Sequence, residues 1–158
     1  MPIYGWTLTK AYFGRGWAYH ELRYYEKAIE DYNKAIELDS KYKDAYNNRG
    51  LSYFFLKKHK KAIEDYNKAI ELDSKHKEAY NNRGLSYYYL KKYEKAIEDY
   101  NKAIELDSKF ATAYFNISLA YHQLHDYKKV SLYYNEAVRL NPKLEKRLEK
   151  MIEEDGSL

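Results

Sequence analysis

Cysteine is absent from the 158-residue sequence. This excludes a disulfide scaffold, thiol catalysis and thiolate metal sites. No apolar run approaches the roughly 18 residues of a membrane-spanning helix. The opening Met-Pro-Ile-Tyr-Gly-Trp-Thr-Leu lacks the basic region and apolar core of a secretory signal, so a cytoplasmic location is expected. Neither a GxSxG nucleophile turn nor a phosphate-cradling glycine loop occurs, so no cofactor is implied and the chain is not expected to be an enzyme. A surplus of one charge is also lacking: 28 basic against 24 acidic side chains leave +4. Lysines alternate with Glu and Asp along the chain, whereas a nucleic-acid binder concentrates its cations on one face. Neither nucleic acid nor membrane is therefore expected as a partner.

The composition that remains, 45% hydrophobic and 33% charged, is that of one soluble globular domain with a core large enough to need no staple. Its oddest feature is 21 tyrosines against five Phe and two Trp. A repeat explains them. Residues 43–76 and 77–110 are identical at 28 of 34 places, and the frame extends, with more divergence, to one copy on each side. Tyr12, Tyr46, Tyr80 and Tyr114 share one place; Tyr19, Tyr53, Tyr87 and Tyr121 another; Tyr32, Tyr66, Tyr100 and Tyr134 a third. Tyr25, Tyr93 and Tyr127 share a fourth, which His59 occupies in the second copy. Recurring places are packing places.

Each unit carries two helical periods. Tyr46, Gly50 and Tyr53 line one face of a first helix, and Ala62, Tyr66, Ala69 and Ile70 line a second, joined by the polar Lys57-Lys58-His59-Lys60. Glycine inside a helix costs about 1 kcal/mol relative to alanine, so Gly50 and Gly84 imply close approach to the partner helix at Ala62 and Ala96. Glu30/Lys34, Glu64/Lys68 and Glu98/Lys102 are spaced as i,i+4 ion pairs on an outer face.

These residues resemble the tetratricopeptide repeat, a 34-residue helix-turn-helix with WxxLGxxY and later Ala, Phe and Pro. Tyr46 to Tyr53, Ala62, Tyr66 and Ala69 follow that pattern, with Tyr for Trp and for Phe. Arg15, Arg49 and Arg83 replace the signature Leu, and their stems are expected to cover apolar surface while the guanidinium reaches water. Ser40, Ser74 and Ser108 stand where Pro is expected, which predicts less rigid corners between units. In the last copy Ser118 replaces Gly and Val130 replaces Ala.

The resemblance implies an all-α fold, a right-handed solenoid of stacked antiparallel helix pairs. The expected organisation is an N-terminal extension at 1–8 and four units at 9–42, 43–76, 77–110 and 111–142. A capping helix at 143–154, with Leu144, Leu148, Met151 and Ile152 on one face, and a tail at 155–158 complete it. The implied function is a scaffold or adaptor that binds a peptide or protein segment in the concave groove of the first helices.

One residue beyond the packing stripe, about 100° round the helix, come Phe13 and Trp17; Asn47, Leu51 and Phe54; Asn81, Leu85 and Tyr88; and Leu119 in the last unit. These are the candidate peptide-binding residues, together with Asn48, Asn82 and Asn116. An asparagine amide both donates and accepts, matching peptide backbone. The three asparagines resemble the ladder in the tetratricopeptide region of O-GlcNAc transferase; the alternative is that they bind the adjoining repeat or water.

The carboxylate clamp of co-chaperones is disfavoured. Its Lys, Asn, Asn, Lys and Arg would fall on Phe13, Trp17, Asn48, Glu78 and Asn82, one match in five. The alternative function is a homo-oligomeric assembly built by repeat-end stacking or swapping. His122 and His125 have no evident third ligand, so no metal is expected, and Lys57 to Lys61 reads as a solvated turn or as a contact for phosphate or an acidic partner.

Overall fold

The computed structural model describes residues 3–146, with side chains from Thr7 onward. Eight α-helices and no strand occur among the described residues. They are α1 (Ile3–Glu21), α2 (Tyr25–Leu38), α3 (Lys43–Phe55), α4 (His59–Leu72), α5 (Lys77–Tyr89), α6 (Tyr93–Leu106), α7 (Ala111–Gln123) and α8 (Tyr127–Leu140). Consecutive helices pack as antiparallel pairs, and the pairs stack into an all-α solenoid.

The core follows the periodicity. Ala28, Tyr32 and Ala35 on α2, and their counterparts Ala62, Tyr66, Ala69 and Ala96, Tyr100, Ala103, are fully buried. A Cβ at Gly50 or Gly84 would lie 2.8 or 2.7 Å from the Tyr66 or Tyr100 ring. The close approach is thus to a tyrosine ring as well as to the backbone carbonyls of Ala62 and Ala96, 3.2 and 3.1 Å from the same point.

Every turn within a pair has the same construction. Lys58 N–H donates to Tyr53 O (2.9 Å) and Lys57 N–H to Phe54 O (2.8 Å), the double bond of a Schellman motif. It requires a left-handed residue, and Arg23, Lys57, Lys91 and His125 supply it at φ 63°, 58°, 59° and 58°. The corners between pairs lack proline but are held otherwise. Asp39, Asp73 and Asp107 each accept from the backbone N–H two residues on, at 2.9–3.0 Å. Asp73 and Asp107 also receive Lys43 and Lys77 from the first helix of their own unit.

One local expectation changes. The lysines at 34, 68 and 102 pair with Glu37, Glu71 and Glu105, one turn toward the helix C-terminus, where the helix dipole favours a cation. Helix α1 begins at Ile3 and runs unbroken through the residues expected to form an extension. Residues 143–146 are helical, and Leu144 is buried against Phe115 and Ala137. The rest of the expected capping helix, with Leu148, Met151 and Ile152, lies outside the described residues, as does the tail.

Candidate peptide-binding face

The odd-numbered helices touch one another along the stack (α1 with α3, α3 with α5, α5 with α7), whereas the even-numbered ones do not to the same degree. Shorter spacing on the odd side bends the stack toward it, so α1, α3, α5 and α7 form the inner wall.

On that wall Trp17 stands 53% exposed. Leu51, Leu85 and Leu119, its counterparts in the next three units, are half-buried. Phe54 and Tyr88 are half-buried too, edge-on to Phe55 and Tyr89 respectively. Phe13 packs against Tyr42 (4.9 Å) and Tyr32 (5.7 Å) and is partly withdrawn from solvent. The structure thus gathers an apolar row of one tryptophan and three leucines, with the rings of Phe55 and Tyr89 beyond it.

The asparagines behave differently from free rungs. Asn116 is only 6% exposed and donates its amide to Asn81 Oδ1 at 2.9 Å. One unit earlier Asn82 donates to Asn47 Oδ1 at 3.2 Å. Asn47 and Asn81 are themselves buried, so these four side chains form hydrogen bonds between units. Asn48 would need an acceptor at position 13, finds Phe13, and turns its amide to Asp44 O of its own helix at 2.8 Å. The reading of Asn47, Asn81 and Asn116 as exposed groove residues is therefore corrected: a buried amide needs a partner, and the next unit provides one. Asn48 and Asn82 remain half-buried.

The arginines of the second and third units depart from expectation, whereas the Arg15 side chain is 60% exposed. Arg49 holds Asp65 bidentately at 2.6 and 2.8 Å and donates its remaining nitrogen to Asn33 of the preceding unit at 2.7 Å. Arg83 repeats this with Asp99 and Asn67. The Arg49 side chain is 19% exposed, so the guanidinium ties two units together rather than reaching for water. Burial raises the Asp65 and Asp99 carboxyls above their ordinary range even against the pull of the arginines. The signal for this contact was present as Asp31, Asp65 and Asp99 and as Asn33, Asn67, Asn101 and Asn135, all at fixed places in the repeat.

At the corner edge of the wall, His76 lies 3.2 Å from Glu78 and 3.6 Å from Asp44. The nearby carboxylates of Asp44 and Glu78 raise its pKa despite burial. Tyr42, Phe110 and Leu144 hold the equivalent place in the other units.

Tetratricopeptide repeat models match residues 44–76 and 78–110, residues 111–144 and, as a TPR repeat model, residues 16–57. The chain belongs to the tetratricopeptide repeat family. No curated protein sequence matches it. Among solved tetratricopeptide folds, a crystal structure of MamA is 29% identical, with a TM-score of 0.79 over 87% of this chain and 81% of that one. The first tetratricopeptide domain of Spaghetti (RPAP3) bound to the HSP90 peptide SRMEEVD is 28% identical, with a TM-score of 0.73 over 76% and 95%. The second such domain of human RPAP3, in complex with the HSP70 peptide SGPTIEEVD, is 26% identical, with a TM-score of 0.71 over 73% and 97%. Similarity to these repeat domains supports a protein-interaction module. No described helix is long and apolar enough to cross a membrane.

Proposed function

We propose that this tetratricopeptide chain holds an extended segment of a partner protein along its inner wall, with Trp17 as the anchor. The observation that carries the reading is the exposure of Trp17, 53%, at the head of the row Leu51, Leu85 and Leu119. A large aromatic ring left in water beside apolar neighbours is the usual centre of a binding contact. The free carbonyls of Asn48 and Asn82 would accept from the segment's backbone, while Asn47, Asn81 and Asn116 hold the units in register. The peptide complexes of the RPAP3 domains support the class of ligand. They do not transfer the ligand itself, because Phe13, Trp17 and Glu78 stand where a carboxylate clamp requires Lys, Asn and Lys, and an acidic terminus would find no charged donor there.

The test is selection of peptides from a displayed random library on the immobilised chain, followed by titration of the selected sequences. Trp17→Ala is expected to weaken binding by about tenfold or more, and Asn48→Ala with Asn82→Ala by less. Undiminished affinity in folded Trp17→Ala would refute the anchor.

A further inference from the structure

We propose that the edge of the solenoid formed by the turns within the helix pairs is a second docking surface, which takes an acidic segment of a partner protein. The alternation of Lys with Glu and Asp along the chain conceals a separation of charge in space. The four turns within pairs, at 22–24, 56–58, 90–92 and 124–126, carry five cations, Arg23, Lys57, Lys58, Lys91 and Lys92, against Asp126 within the turns and Glu21 beside them, in the pocket that Arg23 and Phe55 also line. The corners between pairs, on the opposite edge, carry Lys41, Lys75 and Lys109 against Asp39, Asp73 and Asp107. Pairing sharpens the contrast. Asp73 and Asp107 are ion-paired with Lys43 and Lys77, and Asp126 is paired with Lys129. Among the described residues, none of the five cations has a carboxylate within ion-pair reach.

The placement of three of them points the same way. Arg23, Lys57 and Lys91 sit in the left-handed region, which glycine adopts without a Cβ penalty. The helix dipole favours a cation at such a C-terminus, yet all three side chains remain exposed and without a carboxylate partner. Beside the cations lie Phe55 and Tyr89, 50% and 58% exposed.

These rings decide between polyanions. Phe55 is stacked on Tyr25 (5.2 Å, 5° between planes) and Tyr89 on His59 (5.4 Å, 12°), each from the preceding unit. Both rings also make edge-type contacts, Phe55 with His20 and Phe54, and Tyr89 with Phe54 and Tyr88. With one face of each ring already taken by a stacked neighbour, the edge offers no continuous platform for a run of nucleobases, which bind by face stacking. Carboxylates for the cations and apolar side chains for the exposed parts of the rings describe an acidic polypeptide.

The experiment is fluorescence anisotropy of the full chain with a fluorescein-labelled peptide of alternating Glu and Phe. It is run beside a single-stranded oligonucleotide of equal charge and phosphatidylserine vesicles. Three variants accompany it: Arg23, Lys57, Lys58, Lys91 and Lys92 changed together to Gln; Lys41, Lys75 and Lys109 changed together to Gln; and Arg23→Gly with Lys57→Gly and Lys91→Gly. The peptide is expected to bind, the first variant to lose about tenfold or more in affinity, and the second to stay within about twofold. The glycine variant should bind more weakly while melting at a higher temperature, which separates binding from folding. Trp17→Ala should leave this affinity unchanged, which separates the edge from the inner wall. The proposal is overturned by absence of peptide binding, by equal losses in the two lysine-edge variants, by loss in Trp17→Ala, or by tighter binding of the oligonucleotide or vesicles.

Discussion

The second and third units and the last unit solve one packing problem in two ways. In the former, Arg49 and Arg83 thread between helices to a buried Asp and to an Asn of the unit before. In the last, the arginine place holds Ile117, fully buried with Ala96, Tyr100 and Ala120, and the aspartate place holds Tyr133, packed on the same cluster and stacked on Tyr121 at 5.5 Å. Both members changed together. The glycine place changed as well, to Ser118, which donates to Phe115 O at 2.7 Å, and its tyrosine, Tyr134, is only half-buried where Tyr66 and Tyr100 are fully so. The contrast teaches that the junction tolerates a polar or an apolar filling, provided that no charge is left alone.

The sharpest way to break this comparison is to import half of the last unit into the third. Arg83→Ile leaves Asp99 buried without its partner and should cost about 3–5 kcal/mol in urea melts. Adding Asp99→Tyr should recover most of that loss, since paired apolar replacement of a buried ion pair is often neutral or better. A double variant as unstable as the single one would show that the two solutions are not interchangeable.

The glycine difference should be worth less. Gly84→Ala drives a Cβ into the buried Tyr100 ring, which overcomes the ordinary helical preference for alanine, and should cost about 1–3 kcal/mol. Ser118→Ala in the last unit should stay within about 1 kcal/mol. Smaller still is the effect of the tyrosine hydroxyl. The hydroxyls of Tyr32, Tyr66 and Tyr100 are buried with no protein partner, so Tyr66→Phe should stabilise the chain by about 1 kcal/mol. Tyr134→Phe, at a half-buried place, should give no gain.

The smallest effect separates the second unit from its neighbours by pH. His76 has a raised pKa when folded, so its contribution is complete below the unfolded value of about 6.5 and is lost as pH rises through the folded value. His20, lowered by burial, has the opposite sign: its contribution is complete above about 6.5 and is lost as pH falls through the folded value. His76→Phe, which copies Phe110, should remove the alkaline decline and leave the acidic one. Melts of the two proteins across pH 5 to 9 give the comparison, and an unchanged alkaline limb would assign the decline elsewhere.

Much of this architecture was legible as repetition. The 34-residue period, the buried alanines and tyrosines and the glycine contacts follow from spacing, because a helix presents every third or fourth residue to the same neighbour. The inner wall was legible only in part. Trp17 and the three leucines lie where a rotation of the stripe puts them, but Asn47, Asn81 and Asn116 turned inward. Rotation about one helix axis says which way a residue points, and not whether a neighbouring unit already covers it. The arginines misled for a related reason: a stem that can reach water can equally reach an aspartate sixteen places on, and only the packed pair shows which it does.

Spacing and residue type along the chain were enough to establish that helix pairs form, where they turn and which side chains they bury, since those follow from local geometry and apolar periodicity. Which amides are spent between units, which cations stay unpaired and how they collect on one edge depended on the stacking of units far apart in the chain. Contacts between units are set by the rotation from one pair to the next, and no single period of the sequence contains that rotation.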